Sequence, residues 1–330
     1  MSIENISELL ARALALRTSL FDPRHETACR LFHGFTEGNP QLVIDLYAAT
    51  AVIGNYADPA TDGEAAVNAA KDFLLQELPW LRAIVVKTRN SRLLEERNGL
   101  LVYGEKADRR IKEHGVPYAV DLCANRDTGF YSDTRNLREW LIHNMEGKSL
   151  LNTFAYTGSL GVAALAGGAV RVVQTDLSRN FLNQAKTSYS MNGFPIVKKD
   201  FIAGDFFSIA SQLKRHGELF DCVVLDPPFF AVTEKGTVDQ LNNCDRLINK
   251  VRPLINDGGY LISVNNALYL SGADYMRTLE NLCADGYLEI SGTIPVPPDF
   301  CAGERGSALP DPAPFNHATK IAILKVRRKN

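Results

Sequence analysis

The sequence predicts an α/β protein in which a small α+β domain precedes a larger domain built on a mainly parallel sheet. Three observations support this fold class. Short β-like segments surround one helical pattern early in the chain, strands and helices alternate from about Arg126, and later strands such as Val223-Val224-Leu225 are continuously apolar. Parallel strands have this composition because helices cover both faces of their sheet. We therefore expect a boundary near Asn125, with domains over residues 1–125 and 126–330.

The small domain is predicted from two helical patterns and a series of short apolar runs. Apolar residues at helical spacing predict a helix over residues 6–20, ending before Pro23. A second helix extends from an Asp62 cap to Leu78 and ends before Pro79. Runs bounded by turn residues predict strands. These strands are Cys29–Phe35, Leu42–Leu46, Ala51–Tyr56, Ala83–Thr88, Leu100–Glu105 and Val116–Leu122.

The larger domain follows a strand–helix alternation that ends in two strands without a clear helix between them. The predicted strands are Ser149–Phe154, Val170–Thr175, Lys198–Ala203, Cys222–Leu225, Tyr260–Val264, Leu288–Val296 and Thr319–Val326. The predicted helices are Ser159–Ala166, Ser178–Asn192 and Thr237–Arg252. The last two strands are expected to pair with each other across a long loop rich in proline and glycine.

Composition and charge exclude several classes of protein. The 330 residues are 45% apolar and 22% charged, which is typical of a globular chain with a substantial core. The formal charge of −2 means that any nucleic-acid surface must be local. No apolar run reaches the roughly 20 residues of a membrane span, and the N-terminus does not resemble a signal peptide. We therefore expect a cytoplasmic protein without membrane attachment. The oligomeric state stays open, with a homodimer as one option.

Glycine and acidic residues follow three successive strands of the larger domain, at the edge where an open α/β sheet binds ligands. After the first strand, Gly158 allows a tight turn, and the motif is neither Gly-x-Gly-x-x-Gly nor a P-loop. Asp176 ends the second strand, where its carboxylate can accept hydrogen bonds from ribose hydroxyls. After the third strand, Asp205 can accept from an adenine amino group, and Phe206 can pack on the ring. Each acid alone could be a solvated loop residue. Together they predict an adenosine pocket without a phosphate cradle, for which S-adenosylmethionine is the natural ligand.

The fourth strand leads into Asp226-Pro227-Pro228-Phe229-Phe230, the most specific motif of the chain. Proline fixes the backbone and leaves local carbonyls as acceptors for an exocyclic amine. We predict that Asp226, Pro227 and Phe229 are catalytic, and that Phe229 or Phe230 stacks on a planar base. The alternative is a rigid turn with a buried phenylalanine.

These motifs resemble, in order, those of the class I S-adenosylmethionine-dependent methyltransferases. Asp127-Thr-Gly-Phe-Tyr-Ser-Asp-Thr-Arg135 is similar to a signature of the bacterial large-subunit ribosomal RNA methyltransferases I and K, and Thr27–Gly38 resembles their small strand–strand–helix–strand–strand domain. The resemblance implies a Rossmann-like, seven-stranded sheet whose last strand is antiparallel. It also implies that Asp133 and Arg135 lie near the cofactor, with the guanidinium of Arg135 holding its carboxylate. The remaining implied cofactor contacts are Asn152, Phe154, Tyr156, Thr157, Gly158, Asp176, Leu177, Asp205, Phe206 and Asp226. Many members carry Asp where this chain has Asn152.

The positions of the six cysteines favour methylation of a nitrogen atom. A 5-methylcytosine enzyme needs a thiolate nucleophile, and the members that make this product carry Cys after the fourth or fifth strand. Here those positions read Pro228-Phe229 and Ser263-Val-Asn-Asn266. The latter resembles the turn of the 7-methylguanine module, so Asn265 and Asn266 are predicted to bind the base. Satisfied turn amides are an open alternative. Among the thiols, Cys301 is the one left as a candidate nucleophile. The chain has no Cys-x-x-Cys pair, so the cysteines do not predict a metal site.

The sequence thus predicts a methyltransferase that acts on a base nitrogen of ribosomal RNA, with guanine slightly preferred. RNA would approach over the small domain and the pocket rim, where a basic cluster comprises Arg82, Lys87, Arg89, Arg92 and Arg97. Because acidic residues lie between these positions, an ordinary solvated face is an open alternative. His317 would line the pocket or hold the final strand in place. The competing hypotheses are an enzyme of the same fold that acts on a small molecule or protein, and a non-catalytic RNA-binding factor.

Overall fold

The structure is a computed structural model that describes residues 3–300 and 319–328. The described chain divides into two compact units. The first comprises residues up to Ser132 together with 297–300, and the second comprises Asp133–Val296 together with 319–328. The domain boundary near Asn125 remains a prediction.

The first unit contains a five-stranded sheet in the order β1-β2-β3-β4-β5 and a separate hairpin of β6 and β7. Its helices are α1 (Ile3–Arg17), α2 (Glu64–Glu77) and α3 (Leu94–Asn98). Its strands are β1 (Ala28–Phe32), β2 (Leu42–Tyr47), β3 (Thr50–Asn55), β4 (Ala83–Thr88), β5 (Leu100–Tyr103), β6 (Arg110–Glu113) and β7 (Val116–Ala119). Strands β3 and β4 are parallel, and α2 connects them, while the other neighbouring strands are antiparallel.

One apolar core holds α1 and α2 to the five-stranded sheet. The helical spacing of Ile6, Leu10 and Ala13 places all three side chains on one face of α1, where each is at most 2% exposed. Leu74 of α2 and Ile44 of β2 belong to the same cluster. The strand β6 was not predicted, because Arg-Ile-Lys-Glu has no continuous apolar pattern and is defined by its pairing with β7.

The second unit contains a seven-stranded sheet covered by six helices within the described residues. The helices are α4 (Arg135–Asn144), α5 (Ser159–Ala166), α6 (Arg179–Met191), α7 (Phe206–Arg215), α8 (Cys244–Val251) and α9 (Gly272–Cys283). The strands are β8 (Ser149–Thr153), β9 (Arg171–Asp176), β10 (Phe201–Ala203), β11 (Phe220–Leu225), β12 (Phe230–Thr233), β13 (Gly236–Asp239), β14 (Ile255–Asn265), β15 (Leu288–Ile294) and β16 (Lys320–Val326).

The sheet order is β10-β9-β8-β11-β14-β16-β15. Strands β8 to β11 and β14 are parallel, whereas β16 runs antiparallel to both of its neighbours. Two apolar clusters, one containing Leu151 and Val223 and the other Leu150 and Val224, pack against opposite faces of the sheet. The predicted α/β fold class, with a seven-stranded sheet and an antiparallel last strand, is confirmed.

The predicted helix Thr237–Arg252 is wrong in its first part. Residues Gly236–Asp239 form β13, which pairs with β12 in a hairpin, and the helix begins only at Cys244. The carboxylate of Asp239 accepts hydrogen bonds from the backbone N–H groups of Leu241 and Asn242, which holds the chain in a turn before the helix. None of the described helices is long and apolar enough to cross a membrane.

Candidate active site

The carboxyl ends of β8, β9 and β11 meet at the point where the order of the strands reverses. From β8 the chain moves outward to β9 and β10, and β11 then returns to the other side of β8. Thr153 is paired with both Thr175 and Leu225. The next residues along the three strands, Phe154, Asp176 and Asp226, are therefore brought together at one edge of the sheet. This is the usual ligand-binding edge of such a fold.

The loop after β8 has an unusual backbone that brings it close to the sheet edge. Phe154, Tyr156 and Gly158 adopt φ values of 53°, 49° and 75°. At Gly158 a side chain is also excluded sterically, because a Cβ atom would lie 2.6 Å from the Cβ of Ala185. Non-glycine residues in this region of φ are uncommon and occur frequently at functional sites. The loop therefore packs closely against α6, and its backbone conformation is of a kind found at functional sites.

Asp176 holds the same loop through its carboxylate. Its two oxygens accept backbone hydrogen bonds from Tyr156 and Ser178, each at 2.8 Å. Burial raises the pKa of Asp176, and the two N–H donors oppose this rise. A carboxylate offers about four acceptor sites, so two bonds leave capacity for hydroxyl groups of a ligand. Leu177, the next residue, is 69% exposed and offers an apolar surface at the same edge.

A buried amide network lies beneath the loop, and the sequence analysis did not identify its central residue, Gln174. Asn152 donates to Gln174 at 2.7 Å, and Gln174 donates to the carbonyl of Gly158 and the hydroxyl of Tyr189. At Gly161 of α5 a Cβ atom would lie 2.1 Å from the side-chain nitrogen of Gln174. The network therefore fixes α5 and the loop on β9. The Oδ1 atom of Asn152 is buried and has no hydrogen-bond partner.

Asp205 and Phe206 follow β10 at the ligand-binding edge of the sheet, and both side chains also contact other residues of the protein. Asp205 caps α7 by accepting from the backbone N–H of Ser208, and it also accepts from the hydroxyl of Thr233 at 2.6 Å. Burial acts to raise its pKa, but the hydrogen bonds outweigh this effect and lower it. Phe206 is 8% exposed, with its ring 4.6 Å from that of Phe154.

Two acidic residues of the site, Asp133 and Asp226, interact electrostatically. Asp133 is 8% exposed; its Oδ2 accepts from Thr319 at 2.5 Å, while its Oδ1 is buried without a partner. Burial, and secondly the negative charge of Asp133, raise the pKa of Asp226 to about 7. Arg135 lies close to Asp133 in sequence, at the start of α4, and is half-buried. An excess of negative charge in a desolvated place attracts a cationic ligand.

The segment after β11 presents aromatic side chains. Pro227 is buried, whereas Phe229 and Phe230 are 43% and 57% exposed. These exposed rings differ from the alternative expectation of a buried phenylalanine in a rigid turn. Exposed aromatic rings beside a ligand-binding edge are suited to stacking on a planar group.

Gln240, a second residue that the sequence analysis missed, joins this segment to the turn after β14. Its side-chain nitrogen donates to the carbonyl of Pro227, and its Oε1 accepts from the backbone N–H of Asn266 at 2.9 Å. Its backbone N–H donates to Phe229, and its carbonyl accepts from Asn265. Gln240 is 1% exposed. All four of its polar atoms are thus used to hold two loops together, and the Pro227 carbonyl already has one partner.

The two asparagines after β14 differ in their availability. Asn265 donates to Gln240 and accepts from the N–H of Ala267, so both ends of its amide are engaged. The Oδ1 atom of Asn266 is buried and has no partner. This placement favours Asn266 over Asn265 as a contact to a substrate. No signal in the sequence distinguishes the two.

Two of the cysteines are poorly suited to act as nucleophiles. Cys222, in β11, is fully buried, and burial raises its pKa. Burial also raises the pKa of Cys244 to about 11. Because the thiolate is the reactive form, neither is activated. Cys301 and His317 lie outside the described residues.

Lys87, a member of the predicted basic cluster, is only 2% exposed in the first unit. Its ammonium group donates to the backbone carbonyls of Asn98, Asn125 and Asp127, and burial lowers its pKa to about 8. The expectation that Lys87 meets RNA is therefore wrong, because its side chain is already committed to the interior of the unit.

Comparison with known proteins identifies the family. Residues 30–309 match the model of the S-adenosylmethionine-dependent methyltransferases. The chain belongs to this family. It is 28% identical to ribosomal RNA large subunit methyltransferase I of Photobacterium profundum, over 88% of this chain and 73% of that protein. It is 32% identical to the protein of the same name from Vibrio cholerae, over 85% of this chain and 70% of that protein.

Solved structures share the fold. A candidate methyltransferase solved in complex with S-adenosylhomocysteine (SAH) superimposes with a TM-score of 0.84 at 22% identity, covering 99% of this chain and 82% of that one. A candidate S-adenosylmethionine-dependent methyltransferase from Streptococcus mutans has a TM-score of 0.82 at 21% identity, with the same coverage.

The residues of this methyltransferase fit its cofactor. The unpartnered, buried oxygen of Asp133 is a place for a cationic group, and Gly158, with its φ of 75°, allows the tight turn of the loop at the sheet edge. Asp176 retains acceptor capacity at the edge of the sheet. Acidic, polar and apolar groups are thus available for the ammonium, ribose and adenine parts of S-adenosylmethionine.

Proposed function

We propose that this methyltransferase acts on a nitrogen atom of a base in ribosomal RNA, with guanine as the preferred base. The observation that carries the proposal is the combination, at the end of β11, of a partly buried Asp226 with the exposed rings of Phe229 and Phe230. A carboxylate next to stacking surfaces is suited to orient a flat acceptor that has N–H groups.

The nucleoside part of S-adenosylmethionine would be held by the ends of β9 and β10. Asp176 accepts hydrogen bonds from the ribose hydroxyls, and Asp205 accepts from the adenine amino group. Leu177 and Phe206 provide apolar surface for the adenine ring, with Phe206 supported by Phe154. These roles use acceptor sites that remain after the structural hydrogen bonds of both acids are made.

The methionine part would lie toward α4 and the loop after β8. Arg135 binds the carboxylate, Asp133 lies beside the positive charge, and the backbone from Tyr156 through Thr157 to Gly158 lines the turn. Asn152 supports this turn through Gln174. When bound, S-adenosylmethionine supplies a methyl group on a positively charged sulfonium.

The chain's own contribution to methyl transfer is positioning. Asp226 accepts a hydrogen bond from an N–H group of the base, Phe229 stacks on it, and Pro227 fixes the backbone between them. Asn266 offers its unpartnered Oδ1 to the edge of the base. Holding two reactants in line supplies a large part of the rate enhancement of such a transfer. Within structured RNA, the base has to be turned out of its stack to reach these residues.

The names of the relatives support RNA as the substrate, and two of the described cysteines support nitrogen as the acceptor. The curated relatives are ribosomal RNA large subunit methyltransferases. Neither Cys222 nor Cys244 is exposed or activated as a nucleophile for attack on a pyrimidine carbon.

Methyl transfer to deproteinised large-subunit RNA, followed by nucleoside mass spectrometry, tests the proposal. The wild type should form one N-methylated nucleoside, most readily in RNA from cells that lack this gene. Asp226→Asn should lower kcat by about 100-fold and leave SAH binding in calorimetry within about two-fold. Asp245→Asn, which alters an exposed acid of α8, should behave as the wild type.

Two results would overturn the proposal. One is the absence of transfer to RNA by the wild type at any salt concentration. The other is formation of 5-methylcytosine, which would require a cysteine nucleophile.

A further inference from the structure

The hairpin of β12 and β13 lies directly beyond the motif that carries Asp226. It begins at Phe230 and pairs Phe230 with Asp239 and Thr233 with Gly236. Since β11 ends at the ligand-binding edge of the sheet, the hairpin begins at that edge too. Its position places it next to the proposed acceptor site.

Strand β12 presents two apolar side chains on the outward face of the hairpin, where their partners across β13 are Asp239 and Thr237. Exposure alternates along β12: Phe230 and Val232 are 57% and 68% exposed, whereas Ala231 and Thr233 are partly buried. Val238, opposite Ala231, is 2% exposed and lies in the core. Side chains two residues apart share one face of a strand. Phe230 and Val232 therefore form one apolar surface in solvent.

This surface is held rigidly by both ends of the hairpin. Near the tip, the Thr233 hydroxyl donates to Asp205 at 2.6 Å, and Gly236 lies so close to Phe207 that a Cβ atom would be 2.6 Å from its ring. At the base, Gln240 binds Pro227 and Phe229. A preformed surface loses little conformational entropy when a partner binds.

We propose that Phe230 and Val232 form a docking surface for the unpaired nucleotide that flanks the methylated base. The inference rests on the proposed function and adds Val232, a residue without an assigned role. Unpaired bases stack on apolar and aromatic side chains regardless of their sequence. A nucleotide is the favoured occupant because Phe230 continues directly from the proposed base-stacking residue Phe229, and neighbouring bases of one strand lie side by side.

Val232→Ser tests the surface, and Val170→Ser is its matched control. Val170 is 72% exposed, similar to Val232, but precedes β9 and so lies at the opposite edge of the sheet. With deproteinised large-subunit RNA as substrate, Val232→Ser should raise KM for RNA by about five-fold, and kcat and SAH affinity should stay unchanged. Val232→Phe should lower KM, because a ring offers a larger stacking surface. Val170→Ser should match the wild type.

Equal KM values for the Val232→Ser and Val170→Ser variants would overturn the docking surface, and so would a loss of SAH affinity in Val232→Ser alone. The proposed function would survive either result, provided that the wild type still methylates RNA. If the wild type methylated only a protein or a small molecule, the proposed function would fail together with this inference.

Discussion

Replacing Gln240 with methionine should loosen the acceptor side of the site while leaving the cofactor side intact. The two side chains have similar volumes, so the substitution creates little cavity and mainly removes polar contacts. Two groups lose their partner: the carbonyl of Pro227 and the backbone N–H of Asn266. The backbone hydrogen bonds of residue 240 to Phe229 and Asn265 do not require the side chain.

The expected loss of stability follows from these two groups. A buried polar group that loses its partner costs about 1–3 kcal/mol, which gives roughly 2–6 kcal/mol for the pair. Asn266 is half-buried, so water can replace part of its lost bond. We therefore expect the second unit to lose about 2–4 kcal/mol. A shift of the Pro227 and Asn266 segments by about 1 Å would lower kcat by about 100-fold.

The chain offers a selective probe of this unit. It contains two tryptophans; Trp140 lies in α4 of the second unit and contacts Tyr260. In a Trp80→Phe background, Trp140 fluorescence during urea unfolding reports the stability of the second unit. Gln212→Met, at an exposed position of α7, is the matched control. Calorimetry with SAH and methyl transfer to RNA complete the comparison.

A second variant, Gln240→Glu, separates the two side-chain bonds. An ionised glutamate still accepts from Asn266 but cannot donate to Pro227, whereas a protonated glutamate can do both. Its stability deficit relative to the wild type should therefore shrink as the pH falls toward 5. The reasoning is refuted if Gln240→Met unfolds at the wild-type urea concentration with an unchanged kcat, or if SAH binding falls as much as kcat does.

Three further predictions follow from the same site. Because the pKa of Asp226 is about 7 in the folded chain, above its ordinary value, the folded state retains a proton that the unfolded state has lost; stability should fall as the pH rises from about 4 to 7. This fall should be absent in Asp226→Asn, and kcat/KM of the wild type should rise through about pH 7 if the carboxylate is the active form. Gly161→Ala should cost about 1–3 kcal/mol in urea unfolding and weaken SAH binding, because its Cβ would meet Gln174; an unchanged SAH affinity would contradict this. Thr233→Val should weaken SAH binding by about five-fold, because the carboxylate of Asp205 loses a hydrogen bond that holds it in position. Equal affinities would show that this hydrogen bond has no part in binding.

The strand ends could be read from the sequence because their signals are local. Continuous apolar strands placed β8, β9 and β11 correctly, and Asp176 and Asp226 followed from their positions at the ends of β9 and β11. The hairpin was missed because Phe230–Asp239 has few apolar residues, and its structure depends on contacts to Asp205 and Phe207, which are distant in sequence. The requirement for glycine at position 236 is visible only in the structure, where the ring of Phe207 leaves no room for a Cβ atom.

Gln174 and Gln240 were missed for a related reason. Neither belongs to a motif, and a glutamine in a strand or turn is usually a surface residue. Their importance arises from burial, which makes each hydrogen bond obligatory. Both link segments that meet only in the folded sheet: Gln174 joins Asn152 to Gly158, and Gln240 joins Pro227 to Asn266. Single-sequence patterns carry no record of such pairings.

The two acids of the site connect stability with function. Burial and the negative charge of Asp133 raise the cost of ionising Asp226, so the unliganded fold carries this cost at neutral pH. A ligand with positive charge lowers this cost, because its attraction to the ionised carboxylates offsets the repulsion between them. Binding of S-adenosylmethionine should therefore lower the pKa of Asp226, whereas SAH, which lacks the sulfonium charge, should lower it less. The same difference favours the positively charged cofactor over its neutral thioether product, and it helps the product to leave.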